Sequence, residues 1–322
     1  MKNNDFYLKF IQLLFLFLCV LIFRVDAQES KPIKLVVPFA PGGSNDIVGR
    51  AIAQQLSLKL KRSVIVENKP GAGGSVGAEF VARSEPDGNT LLLISSSFAM
   101  NSSIMKLAYD PDKAFAPVAM LGIGPSVLVV NNQLSVNNIK ELIEYSKKNP
   151  NKTNFGTAGV GSFQHFAIEL FMMKTNADIS LVHYKGGGPA VVDTVAGHVQ
   201  ISLGSLIQMQ NFIKSGQIRP LAIAGRQRVA LLPNVPTLKE QGIDAEAMNW
   251  WGISAPAGVP IELLDKLHLE CNQILAETEI KNRFIAEGAE VMPISRKEFE
   301  RFVSEETLKW AKVAKSAKIK AE

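Results

Sequence analysis

Apolar residues along this chain alternate between two rhythms. Short unbroken runs read as buried strands, and residues three and four positions apart read as helix faces. Leu35, Val36 and Val37 form the first run; Val48, Ile52, Leu56 and Leu60 then recur at four-residue steps and predict a helix from near Ser44. The same alternation predicts strands over 63–67, 90–95, 118–121, 127–130, 154–157, 181–184, 199–203 and 221–224. Between them fall helical patterns over 76–83, 139–148, 162–174, 189–196 and 207–214, followed by 261–277, 279–287 and 297–317. Strand–helix alternation predicts an α/β architecture, parallel sheets with helices on both faces. Two such halves in one chain imply two lobes. The C-terminal helices would return to cover the first, with crossings near 122–126 and 249–255. Trp250 and Trp251 lie at the second crossing and read as packing and hinge residues.

Three of the helices start from glycine loops. Pro41, Gly42 and Gly43 lead to Ser44; Gly156, Gly159 and Gly161 lead to Ser162, a natural N-cap; Gly186, Gly187 and Gly188 lead to Pro189, well placed at a first helical position. A helix start exposes unpaired N–H groups and the positive end of the macrodipole, which suits an anion. In open α/β sheets ligands bind beyond the carboxyl ends of the strands, and all three loops follow strands. Hydrogen bonds to a charged group contribute roughly 1.5–3 kcal/mol each, so four to six could supply the roughly 8 kcal/mol of a micromolar carboxylate complex after ordering costs. Lys185 is the one cation within these loops, which favours a carboxylate over phosphate. Any single loop is equally explained as a tight turn; it is their number that points to a ligand.

Residues 1–27 carry the marks of a cleaved secretory signal: Lys2 and Lys9, an apolar run of 14 residues over 10–23, and a small-x-small site at Val25-Asp26-Ala27. That run is shorter than the roughly 20 residues a spanning helix needs. Removing 27 of 322 residues leaves 295, a length typical of two domains. The formal charge falls from +5 to +4, with no Lys/Arg run of the kind that binds nucleic acid. Cys271 is then the single cysteine. It lies in the pattern of Leu264, Leu267 and Ile274 and reads as a buried, inert thiol.

Several motifs fall short. Gly71-Ala72-Gly73-Gly74-Ser75-Val76-Gly77 has the wrong spacing for a dinucleotide loop, and no phosphate-loop or nucleophile-elbow motif occurs. His165, His183, His198 and His268 show no metal-ligand spacing. Ser162 and His165 lie within one turn and could imitate a nucleophile and base, which leaves an exported hydrolase as a rival reading, though no acidic residue stands out as the third member. No cofactor is expected.

The segments 38–56, 66–92, 154–165, 183–200 and 232–242, in this order and spacing, resemble the Bug-type receptors, extracytoplasmic solute-binding proteins of tripartite tricarboxylate transporters. The resemblance covers nearly all of the mature chain. It implies a two-lobed Venus-flytrap fold, type II-like, with two doubly wound sheets and a hinge. Residues 28–125 plus 250–322 would form lobe 1, and 126–249 lobe 2. It implies a periplasmic, non-enzymatic, monomeric receptor for a small carboxylate, whether a di- or tricarboxylate, an acidic amino acid or an aromatic acid. Membrane permease subunits would be its partners, or alternatively a membrane sensor kinase. Carried over residue by residue, the first-lobe contacts would come from Phe39, Ala40, Pro41, Gly42, Gly43, Ser44 and Asp46, with hydroxyls from Ser95, Ser96 and Ser97. The second lobe would supply Thr157, Ala158, Gly159, Gly161, Ser162 and His165, with Lys185, Gly186 and Gly187 nearby. The chain departs from such relatives at Gly204, where an Asp is frequent, and this puts any borrowed ligand in doubt.

Overall fold

A computed structural model describes residues 31–286 and 288–321. The expected signal, 1–27, lies outside them, as does the end of the helix expected over 279–287. The chain runs β1 (Ile33–Val37), α1 (Ser44–Leu60), β2 (Val64–Asn68), α2 (Ser75–Ala82), β3 (Thr90–Ser95), α3 (Ser96–Ile104), β4 (Phe115–Asn131), α4 (Ile139–Lys148), β5 (Asn154–Thr157) and α5 (Phe163–Thr175). It continues through β6 (Ser180–His183), α6 (Gly187–Ala196), β7 (Ile201–Ser205), α7 (Leu206–Lys214), β8 (Ile218–Ile223), β9 (Met248–Pro256), α8 (Ile261–Ala276), α9 (Thr278–Ala286), β10 (Glu290–Val291) and α10 (Arg296–Ala317).

The strands form one continuous mixed sheet in the order β2-β1-β3-β9-β4-β7-β5-β6, with β8 and β10 also paired to β4. The expected parallel pairs are present: β1 with β2 and β3, and β5 with β6 and β7. The runs at 118–121 and 127–130 are one strand, β4, not two. Its first part pairs β9 up to Pro125↔Met248, and its second pairs β7 from Ser126↔Ser205. β4 leaves the first half of the sheet and β9 re-enters it, so the two run in opposite directions and pair antiparallel. That return introduces the antiparallel pairs that alternation alone does not predict.

This register decides where the loops go. Ser95, the last residue of β3, pairs with Trp251 near the start of β9, and Ser205, the last of β7, pairs with Ser126. The carboxyl ends of strands from both halves therefore abut the same crossing. Loops and helix starts that follow those strands are delivered to one place from two sides.

Burial follows the apolar pattern. Leu35, Val37, Val48, Ile52 and Leu56 pack with Leu264, Leu267 and Cys271 in the first half, and Phe155, Phe166, Phe171 and Ile201 anchor the core of the second. Cys271 is buried, and burial pushes its thiol up to about 12. The C-terminal segment does not cover the first half alone, as the sequence pattern implied. α10 straddles: Phe299 lies in a first-half cluster, while Trp310 and Ala314 lie with α5 in the second. At 22 residues α10 is long enough to reach both. Between these anchors the Glu306 carboxylate accepts from the indole N–H groups of Trp250 (3.3 Å) and Trp310 (2.9 Å), both rings being fully buried. Glu306→Met removes the shared acceptor and leaves two buried donors unpaired, at about 1–3 kcal/mol each. A lowered melting temperature is expected, with Glu306→Gln recovering most of the loss; equal losses in the two variants would show that charge, not the acceptor, matters.

Candidate functional site

At the crossing, the loop 41–43 of the first half meets the loop 186–188 of the second, backbone against backbone. Ala40 donates its N–H to the Lys185 carbonyl at 3.0 Å. A side chain on Gly188 would overlap the Pro41 carbonyl, and one on Gly43 would come within 3.4 Å of the Gly188 nitrogen. A second contact lies alongside, where a side chain on Gly73 would overlap the Val160 carbonyl. The lack of a Cβ at Gly73 and Gly188 lets the two sets of loops come this close.

A small cavity remains between them, lined by Phe39, Gly43, Ser44, Asn45, Ser95, Ser97, Ala158, Phe163, Gln164, Gly187, Gln208 and Asn249. It has room for about a water or two. None of its lining residues is charged. Helices α1, α3, α6 and α7 all start here, at Gly43, Ser95, Gly186 and Ser205, and none of those starts has a side-chain cap. Their first N–H groups thus take no side-chain cap. The start of α5 is already satisfied. Ser162 caps it by accepting from the His165 N–H, and the Ser97 hydroxyl of the first half accepts from the Phe163 N–H at 2.9 Å.

Three lining amides carry buried oxygens with no hydrogen-bond partner: Asn45 Oδ1, Gln208 Oε1 and Asn249 Oδ1. Their nitrogens are engaged: Asn45 with the Ser95 hydroxyl (3.3 Å), Asn249 with the Ser44 hydroxyl (3.5 Å), and Gln208 with the Gly187 carbonyl (2.6 Å). A buried polar atom without a partner costs about 1–3 kcal/mol, so three around one cavity make it the candidate polar binding site.

Of the residues expected from sequence, Phe39, Gly43, Ser44, Ser95, Ser97, Ala158 and Gly187 line the cavity. The others sit around it. Pro41 and Gly42 are on the exposed side of their loop, Ala40 and Gly186 form the contact between loops, and the Lys185 side chain is exposed. The Ser96 hydroxyl instead ties α3 to β9 by accepting from the Trp250 N–H at 3.1 Å. Asn45, Phe163, Gln164, Gln208 and Asn249 were not foreseen. For Gln208 a usable signal existed: it lies in the first turn of a helix that follows a strand, but without a glycine loop to draw attention.

The family model described as the tripartite tricarboxylate transporter family receptor matches residues 48–319. The chain is 36% identical to Protein BugT of Bordetella pertussis over 301 residues, 92% of each chain. It superposes on the periplasmic binding protein BugD with a TM-score of 0.88 at 32% identity, covering 90% of this chain and 99% of that one. It matches R. palustris Rpa4515 with adipate (TM-score 0.87, 31% identity, 91% and 99% covered) and MatC from Rhodopseudomonas palustris with bound malate (0.84, 30%, 88% and 98%). The chain belongs to the tripartite tricarboxylate transporter receptor family. Its fold is the two-lobed periplasmic-binding-protein fold.

In this receptor the loops are held from behind by groups that do not reach the cavity. The buried Asp46 carboxylate accepts from the Gly42 N–H (3.1 Å), from Asn68 (2.9 Å) and from Arg50 (3.0 Å), and so fixes the Pro-Gly-Gly turn. On the other loop, Gly161 donates its N–H to His165 Nδ1 at 3.1 Å, while His165 Nε2 faces Glu169 at 3.7 Å. His165 is buried under its own loop, and its contact with the Ser162 hydroxyl is through the backbone N–H. The imidazole is not aimed at Ser162, as a nucleophile and base would require. Thr157 likewise spends its hydroxyl on the Gly159 N–H and on His183. The Gly204 departure lies beside the cavity, since a Cβ there would sit 3.4 Å from Gln208 Oε1.

Burial pushes the Asp46 carboxyl up, but the hydrogen bonds from Arg50, Asn68 and Gly42 together outweigh it and hold its pKa below the ordinary value. A depressed folded pKa gives stability that is complete above the unfolded value and is lost as pH falls through the folded one. Urea unfolding of the wild type and Asp46→Asn between about pH 3 and 7 is expected to show a gap at neutral pH that narrows on the acid side. A gap independent of pH would show that the carboxylate is not the group that titrates.

Proposed function

We propose that this chain is a periplasmic receptor that captures a small organic carboxylate between its lobes and delivers it to the permease of a tripartite tricarboxylate-type transporter. The observation that carries the reading is the set of three buried amides whose oxygens lack a partner, at a cavity where uncapped helix starts from both halves meet. Family membership supports it, as do the adipate and malate in its solved neighbours. The permease partnership follows the family's description. Among the described residues no helix is long and apolar enough to cross a membrane, in keeping with a free receptor in the periplasm after loss of residues 1–27. We take the protein to be a monomer without cofactor.

In this reading the lobes are 28–125 plus 250–322, and 126–249. The change of pairing partner at Pro125 and Ser126 favours the first boundary. The ligand carboxylate lies against the N–H groups at Gly43–Ser44 and Gly187, with Ser95, Ser97 and Ala158 around it. Asn45 and Asn249 can turn either end of their amides inward, because each faces a serine hydroxyl that both donates and accepts. They can therefore present N–H₂ donors to a carboxylate. Asp46, His165, Ser162 and Thr157 hold the loops in place. With room for little more than water in the cavity, the lobes part on entry in this reading and binding draws them together.

A thermal-shift screen of small carboxylates against sugars and inorganic phosphate tests this. A carboxylate at 100 times its dissociation constant is expected to stabilise by about 2.7 kcal/mol, with no shift from the sugars. Gly188→Val, whose added side chain meets the opposite loop, is expected to keep a cooperative melt and to bind carboxylates at least about tenfold more weakly. Unaltered titration by that variant, or a screen in which sugars alone bind, would refute the reading.

A further inference from the structure

Gln208 differs from the other two amides at the cavity. Its nitrogen donates to the Gly187 carbonyl at 2.6 Å. A carbonyl can only accept, so the amide cannot be turned over without setting two oxygens against each other. Asn45 and Asn249 face hydroxyls and keep that freedom. The oxygen of Gln208 is therefore committed to the cavity. It is buried, in a residue 6% exposed, and has no partner. The protein supplies no donor from the adjoining strand either: at Gly204, whose Cβ would lie 3.4 Å from Oε1, there is no side chain.

A fixed acceptor in a site built for an anion repels a carboxylate oxygen and attracts a donor. Resting on the reading of this cavity as a carboxylate site, we propose that Gln208 selects carboxylates bearing a hydroxyl or ammonium group close to a carboxyl. The carboxylate takes the N–H groups at the helix starts, and the neighbouring donor takes Gln208 Oε1. Hydroxy-acids and amino-acids are then the preferred class, over plain diacids of the same length. A ligand without the donor leaves the buried oxygen unpaired, and discrimination by such an atom is large because the loss is not made good by water.

Isothermal titration with matched sets that differ only in the donor tests the assignment: succinate against malate and aspartate, tricarballylate against citrate, and phenylacetate against mandelate. In at least one set the donor-bearing acid is expected to bind the wild type about tenfold or more tightly. Gln208→Met, which removes the acceptor, is expected to bring that ratio close to one. The ratio is the readout, because the variant also loses the tie to Gly187 and weakens all ligands together. Equal affinities within every set that binds, or a ratio unchanged in Gln208→Met, overturns the proposal while leaving the carboxylate reading intact. Binding of no carboxylate in any set overturns that reading as well. Should Gln208→Met fail to fold, Gln208→Leu replaces it, and equal wild-type affinities alone overturn the proposal.

Discussion

The site depends on main chain meeting main chain across the crossing of β4 and β9. Loops 41–43 and 186–188 approach so closely that a Cβ at Gly188 has no room, and this nearness points helix starts from both halves into one small space. A side chain can bring charge to a ligand, but it brings its own bulk and freedom too. Backbone N–H groups at helix starts bring partial positive charge with neither. The uncharged lining follows: an anion site assembled this way needs no buried lysine or arginine, whose desolvation would have to be met elsewhere.

Such a site must be stiff where it touches the ligand, and the stiffness comes from residues just outside. Asp46 is an acid placed beside the proposed anion site, which is tolerable because Arg50 neutralises it and because its oxygens point back at the turn. His165 performs the matching task on the second loop, where its ring accepts from the Gly161 N–H. Ser97 goes further: a first-half hydroxyl satisfies the first N–H of a second-half helix. That bond exists only while the halves are together, so part of the cohesion between them is a helix cap.

What the sequence discloses and what it hides divide along physical lines. Local signals were sound. The helix over 139–148 and the strands over 90–95 and 154–157 have the bounds their patterns imply, because apolar period and caps are written within each segment. Helix α3 was not legible. Its sequence SSFAMNSSI is rich in serine with an asparagine, poor helix formers, and it is helical because Ala99 and Met100 are buried and the segment lies against α10. β4 read as two strands because Gly122, Gly124 and Pro125 interrupt its apolar run. At the site, glycine loops were visible and single amides were not. Asn45, Gln208 and Asn249 meet partners 50, 21 and 205 positions away, separations that only the fold resolves. The burial of His165 is hidden for a related reason: it comes from a loop folding back over the first turn of α5, which helical spacing does not show.

The same topology restricts how the lobes can part. β4 and β9 join them at the crossing, and α10 joins them again with Phe299 in one core and Trp310 in the other. Withdrawing a large buried side chain costs about 1.5–3 kcal/mol from lost burial alone, and the Trp250–Glu306–Trp310 hydrogen bonds would be broken with it. Ligand affinity near micromolar corresponds to roughly 8 kcal/mol, so a cycle that tore α10 from either core would consume a large share of it. The parting of the lobes that the proposed function requires would leave both cores intact if it pivoted close to α10 and opened at the glycine loops, where backbone meets backbone. On the proposed function, closure is then decided at the cavity itself, by the ligand's hydrogen bonds and the small-residue contacts around them.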